Sequence, residues 1–180
     1  MAHFYKHIPN ILTLLRIASA PFLWYAMITH SVATALLLIS FAIVSDFGDG
    51  YLARRFFLSS RAGSFLDPLA DKVVIIAAFI ALWQQHRMPL WVVMVVAGRD
   101  VAVTALRTYL ANRGVSLKTS WFAKSKTAFQ FCALYIFVLG AGSQGPIFYW
   151  LSVATAFITV ASSASYWYRV ARLLTKKVPR

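Results

Sequence analysis

Apolar residues fall into six runs, at about 10–29, 32–56, 66–85, 89–111, 121–141 and 146–172. A helix needs roughly 20 mostly apolar residues to cross the hydrocarbon of a bilayer, and each run meets that length. The breaks between them are brief at one end: Thr29 to Ser31, His86 to Met88 and Gly142 to Gly145. The pattern predicts an all-α polytopic membrane protein of six transmembrane helices. It leaves no room for a soluble domain, so residues 1–180 read as one membrane domain with a short interfacial segment at 1–9 and a basic tail at 173–180.

Lysine and arginine orient the array. They concentrate in the N-terminus, the 2–3 and 4–5 junctions and the C-terminus, while the opposite connections carry only Arg87. By the positive-inside rule both termini are cytoplasmic, which agrees with an even number of spans. Ala18-Ser19-Ala20 looks like a cleavage box, but Pro21 follows it and Arg16 interrupts the short apolar run before it, so the first span is expected to be retained.

Composition removes the reading that charge alone would suggest. Eighteen Lys and Arg face five acidic residues, for a net charge of +13, which in a soluble protein would point to nucleic acid. With 60% hydrophobic residues and a mean hydropathy of +0.67, the excess is topology signal and attraction to anionic headgroups, and no nucleic-acid partner is expected. Cys132 is the one cysteine, so it has no disulfide partner within the chain and is expected to pack in its apolar run. His3, His7, His30 and His86 are too scattered for a metal site, and Trp83, Trp91, Tyr149 and Trp150 fit an interfacial belt.

The acids are the sharper signal. There is no Glu, and four of the five Asp (Asp46, Asp49, Asp67 and Asp71) lie within 26 residues. Positions 46, 49, 50, 53 and 54 follow helical spacing and form one stripe of two carboxylates, Gly50, Ala53 and Arg54. Gly63, Asp67 and Asp71 are spaced by four and share a face of the next span. Converging carboxylates need positive charge between them, and their hard oxygens suit Mg²⁺, Mn²⁺ or Ca²⁺. Arg54 suits phosphate oxygens, and the bare Gly and Ala positions allow a ligand close to the backbone. Together they describe a metal-diphosphate site. Surface ion pairs with Arg54, Arg55, Arg61 or Lys72 would explain one such Asp, but four at helical spacing favour function. Pro68 leaves the start of the third helix open, either upstream through Gly63 or near Asp67 with Pro68 in its first turn.

The spacing Asp-x2-Asp-Gly-x2-Ala-Arg-x8-Gly-x3-Asp-x3-Asp resembles, at all eight specified positions, the signature of the CDP-alcohol phosphatidyltransferases. The resemblance implies a metal-dependent enzyme, with two Mg²⁺ or Mn²⁺ ions, that displaces CMP from CDP-diacylglycerol with an alcohol. It also implies a homodimer among membrane lipids, in the bacterial inner membrane with its active site facing the cytoplasm. By position, Asp46, Asp49 and Asp67 would bind metal, with Asp71 beside it as the base. Asn10, Thr13, Asp46, Gly50, Ala53, Arg54, Ser60 and Gly63 would serve CDP-diacylglycerol.

Within the family, Pro9-Asn10-x2-Thr13-x2-Arg16, Leu66 to Lys72, Ala105-Leu106-Arg107 and Lys124-x-Lys126-Thr127-x2-Gln130 are similar to the branch that makes phosphatidylglycerophosphate. The acceptor would then be glycerol 3-phosphate, its phosphate held by Arg99, Arg107, Lys124 and Lys126. Gly98-Arg99-Asp100 is instead similar to the cardiolipin synthases, whose acceptor is phosphatidylglycerol. Arg99 is expected to line a water-filled substrate cavity, in preference to pairing with its neighbour Asp100. From other classes, a divalent-cation transporter would need acids spread across the membrane depth, and a scaffold would tolerate loss of the Asp quartet.

Overall fold

A computed structural model describes the backbone of residues 8–56, 61–112, 121–141 and 145–176. Within these it describes the side chains of residues 11–46, 48, 70, 72–111, 125–141, 145–164 and 167–168. Among the described residues six helices follow in order: α1 (Ile8–Ile28), α2 (Val32–Phe56), α3 (Arg61–Gln84), α4 (Leu90–Asn112), α5 (Trp121–Leu139) and α6 (Pro146–Lys176). No strand occurs among the described residues.

The helices answer two open boundaries. α3 begins at Arg61 and continues through Pro68, so Gly63, Asp67 and Asp71 share one helix. α6 runs to Lys176, which makes the first part of the expected basic tail helical. Ile8 and Pro9, placed in the interfacial segment by sequence, belong to α1, and residues 1–7 lie outside the described residues.

Among the described residues, two stretches are long and apolar enough to cross a membrane, Ile11–Ile28 in α1 and Pro146–Ala164 in α6. Among the described residues, Val32–Asp46, Lys72–Gln84 and Ser125–Leu139 are shorter apolar stretches.

The helices pack as two groups of three. α1 lies against α3 most extensively and also against α2, while α6 lies against α4 and α5; α3–α4 and α2–α5 contacts join the groups. Small buried residues, Ala20 and Ala26 on α1 with Ala70, Ala78 and Ala81 on α3, explain the close α1–α3 seam. With no bulky side chain between them the two backbones approach closely, and dispersion across the seam helps to hold it. Leu23, Ile39, Phe79, Leu82, Val96, Leu134 and Phe137 fill the centre.

The C-terminal ends of α1, α3 and α5 gather at one end of the bundle. Gln85 Nε2 donates to the Met27 carbonyl, tying the end of α3 to the end of α1. α1 and α3 both end in a turn whose residue past the helix is a left-handed histidine, His30 (φ 55°) and His86 (φ 57°). In each, the next two amides reach back to helix carbonyls: His30 to Met27 and Ser31 to Ala26, then His86 to Trp83 and Arg87 to Leu82. This is the Schellman pattern, and it satisfies carbonyls the helix end would otherwise leave bare.

Arg87, the lone cation at this end, is a clamp. Nη1 and Nη2 donate to the carbonyls of Phe137 and Gly140 at 2.7 and 2.6 Å, at the C-terminus of α5. The guanidinium also lies over the rings of Phe148 and Phe137, at 4.8 and 5.8 Å. Its charge therefore meets the negative end of a helix and two ring faces. Burial lowers its pKa from the ordinary arginine value.

Along the buried side of α6, hydroxyls are satisfied within the helix. Ser152, Thr155, Thr159, Ser162 and Ser163 each donate to a carbonyl three or four residues earlier. Cys132 is exposed on α5, a correction to the packing role expected from its apolar run: its neighbours Phe131 and Ala133 take the buried positions instead. Trp83 near the end of α3, Trp91 near the start of α4, and Tyr149 and Trp150 near the start of α6 are all exposed.

Candidate active site

α2 and α3 carry the aspartate stripes. The unbroken helix Val32–Phe56 keeps 46, 49, 50, 53 and 54 on one side, and Arg61–Gln84 does the same for 63, 67 and 71. The side chains of Asp49, Ala53, Arg54, Asp67 and Asp71, and the surroundings of Gly50 and Gly63, lie outside the described residues, as do all of Ser60 and the side chain of Asn10.

Asp46 is the described member. Its carboxylate is 49% exposed, and Oδ1 lies 3.5 Å from Nη1 of Arg16, which is 1% exposed on α1. Arg16 Nε donates to Ser45 Oγ at 2.9 Å. Thr13, one turn before Arg16, is fully buried on α1. The sequence marked Arg16 only as part of an opening segment and as a break in an apolar run. Its partners Ser45 and Asp46 lie on another helix, so spacing could not reveal them.

Among the described residues no group of three or more His, Cys, Asp or Glu gathers. The donor chemistry still fits a hard divalent cation: the helical backbones hold four carboxylate-bearing positions at one-turn intervals, and Asp46, the described one of the four, is about half exposed beside Arg16.

A second polar cluster lies between α4, α5 and α6. Lys126 Nζ donates to Asp100 Oδ1 and Oδ2, both at 2.6 Å. Arg99 Nη1 donates to the same Oδ1 at 2.9 Å, and Nη2 donates to Ser162 Oγ at 2.9 Å. Asp100 and Lys126 are 3% and 5% exposed. The pairing of Arg99 with Asp100 corrects the preferred expectation of an arginine given over to a cavity. Neighbouring residues do leave the helix in different directions, but the long arginine stem curls back to the carboxylate. Two cations against one carboxylate leave one positive charge in this buried cluster, which suits an anionic group.

Of the other cations expected there, Arg107 is exposed on α4, about two turns past Arg99, and the Lys124 side chain lies outside the described residues. One turn from Lys126, Gln130 donates to Thr159 Oγ1 at 3.2 Å, extending the polar contact to α6.

Comparison with known proteins places these clusters in context. The family model of the CDP-alcohol phosphatidyltransferases matches residues 6–161. The chain belongs to that family. A CDP-diacylglycerol–glycerol-3-phosphate 3-phosphatidyltransferase of Pseudomonas fluorescens is 35% identical over 171 residues, covering 89% of this chain and 85% of the relative. A protein of the same name from Escherichia coli (strain K12) is 40% identical over 136 residues, covering 71% and 74%. The CDP-alcohol phosphatidyltransferase match takes in Asp46 to Asp71 and Arg99, Asp100, Lys126 and Thr159, and stops one residue short of Ser162. With the apolar α1 and α6, membership identifies a membrane protein of an enzyme family.

Proposed function

We propose that this phosphatidyltransferase moves a phosphatidyl group from CDP-diacylglycerol to sn-glycerol 3-phosphate, giving phosphatidylglycerophosphate and CMP. The observation that carries the reading is the signature from Asp46 to Asp71, on two helices that continue unbroken through it. The names of relatives covering most of the chain support glycerol 3-phosphate as acceptor.

Asp46, Asp49, Asp67 and Asp71 would hold two divalent ions, Mg²⁺ or Mn²⁺, which would supply positive charge against the diphosphate and the departing CMP. Arg54 grips a phosphate oxygen, and Gly50, Ala53 and Gly63 leave room for the nucleotide, with Asn10, Thr13 and Ser60 completing its seat. Asp71 takes the proton as the acceptor hydroxyl attacks the phosphorus that carries the diacylglycerol, and the bond to CMP breaks. Arg99 and Lys126, with Arg107 and Lys124, hold the acceptor phosphate.

All six helices span the bilayer, with both termini and the aspartates on the cytoplasmic side of the inner membrane, supported by the placement of Lys and Arg. The whole chain forms one membrane domain and pairs as a homodimer, a reading that rests on the family resemblance.

The test is CMP release by purified protein with CDP-diacylglycerol, Mg²⁺ or Mn²⁺, and a panel of glycerol 3-phosphate, phosphatidylglycerol, serine and inositol phosphate. Turnover is expected with glycerol 3-phosphate, and Asp71→Asn is expected to lower it about 10²–10⁴-fold. Turnover with phosphatidylglycerol alone would overturn the acceptor, and full activity in Asp71→Asn the base.

A further inference from the structure

Arg16 interrupts the most apolar part of α1, where an arginine costs about 2.5–3.5 kcal/mol on insertion scales. Its guanidinium does not turn to the lipid. It is 1% exposed and reaches α2, with Nε on Ser45 Oγ at 2.9 Å and Nη1 3.5 Å from Asp46 Oδ1. Ser45 is itself fixed, because its hydroxyl donates to the Ala42 carbonyl at 3.1 Å and so presents a lone pair to Arg16. Thus α1 grips two consecutive residues of α2, and the second is the first aspartate of the signature.

The contact geometry separates this pair from a closed salt bridge. A tight charge-assisted bond would be about 2.7–2.9 Å, whereas Arg16 stands 3.5 Å from one carboxylate oxygen of a side chain that remains 49% exposed. The Asp46 carboxylate thus has a cation beside it and is still about half exposed. We infer that Arg16, braced on Ser45, is a positioning residue that fixes the direction in which Asp46 presents its free oxygen lone pairs to a divalent cation. The inference rests on the metal site of the proposed function and adds a residue from α1 to it. Groups that orient a metal's ligands are worth about 10–100-fold in metal affinity.

The experiment measures Mn²⁺ binding to the purified full chain by electron paramagnetic resonance, together with thermal unfolding and the metal dependence of CMP release. Arg16→Gln is expected to weaken Mn²⁺ binding about 10–100-fold and to raise the Mn²⁺ concentration for half-maximal turnover by the same factor, with excess metal restoring rate. Arg16→Lys and Ser45→Ala are expected to shift affinity in the same direction by less. Unchanged Mn²⁺ affinity in folded Arg16→Gln overturns the inference, even with a lower melting temperature, since Arg16 is then only a brace. If Arg16→Gln does not fold, unchanged affinity in both Arg16→Lys and Ser45→Ala overturns it. A wild-type chain that binds no Mn²⁺ and releases no CMP overturns the site and this role together. Wild-type binding with equal binding by the variants overturns the role of Arg16 alone.

Discussion

Lys126 and Asp100 form a bidentate pair across α5 and α4, with Nζ 2.6 Å from each carboxylate oxygen and both side chains buried. Removing one partner of a buried ion pair leaves the other charge uncompensated, at a cost of about 3–5 kcal/mol. Asp100→Leu is therefore expected to unfold at markedly lower denaturant. Adding Lys126→Met should recover much of that loss, because an apolar pair of similar volume replaces the charges. Simple additivity of the two losses in a double-mutant cycle would contradict the pairing.

Arg99 shares that carboxylate and is tied to Ser162 as well. If the surplus positive charge of the cluster receives the acceptor phosphate, Arg99→Gln raises KM for glycerol 3-phosphate and leaves KM for CDP-diacylglycerol near its starting value. A hydrogen bond to a charged group contributes about 1.5–3 kcal/mol, so the rise should be about 10–150-fold. Steady-state kinetics varying each substrate in turn decide it; equal changes in both constants would assign Arg99 to structure.

Arg87 holds the C-terminus of α5 from the connection between α3 and α4. Arg87→Met keeps the bulk but loses two charge-assisted bonds to carbonyls and the contact with the Phe148 ring. A stability loss of about 2–3 kcal/mol is expected. Turnover per folded molecule should be unchanged, because the clamp lies at the end of the bundle away from Asp46. Thermal unfolding alongside activity of the folded fraction measures both.

Gly140 admits no side chain where α5 meets α6. A Cβ built there would sit 2.4 and 2.9 Å from two atoms of the Phe148 ring and 3.2 Å from the Ile136 carbonyl. Overpacking of this kind costs about 1–3 kcal/mol. Gly140→Ala should lower the melting temperature, and Phe148→Leu in the same chain should return part of it by vacating the ring's space. A neutral Gly140→Ala would mean that the ring swings aside freely.

How far the sequence foretold this arrangement depends on the distance over which each feature is encoded. Helices are local, and apolar run length located all six, with the largest boundary difference at α3, where Pro68 turned out to lie within the helix. The aspartate stripes are local too, as residues spaced by three and four on a helix must share a face. The missing pieces are contacts between helices. Arg16 meets Ser45 across 29 residues and Asp100 meets Lys126 across 26, and no periodicity reports which helix lies beside which. Cys132 shows the same limit, since its run is apolar on every side and gives no hint of which face turns outward.

The inward hydroxyls of α6 all bond to their own helix. The apolar stretch Pro146–Ala164 can therefore leave the translocation machinery and enter lipid with these hydroxyl protons already satisfied. α1 and α4 differ. Arg16 finds Ser45 and Asp46 only after α2 has been made, and Asp100 finds Lys126 only after α5. Biogenesis of this chain is thus expected to proceed in coupled steps, with α1 detained until α2 emerges and α4 until α5, and with α6 released last and unassisted.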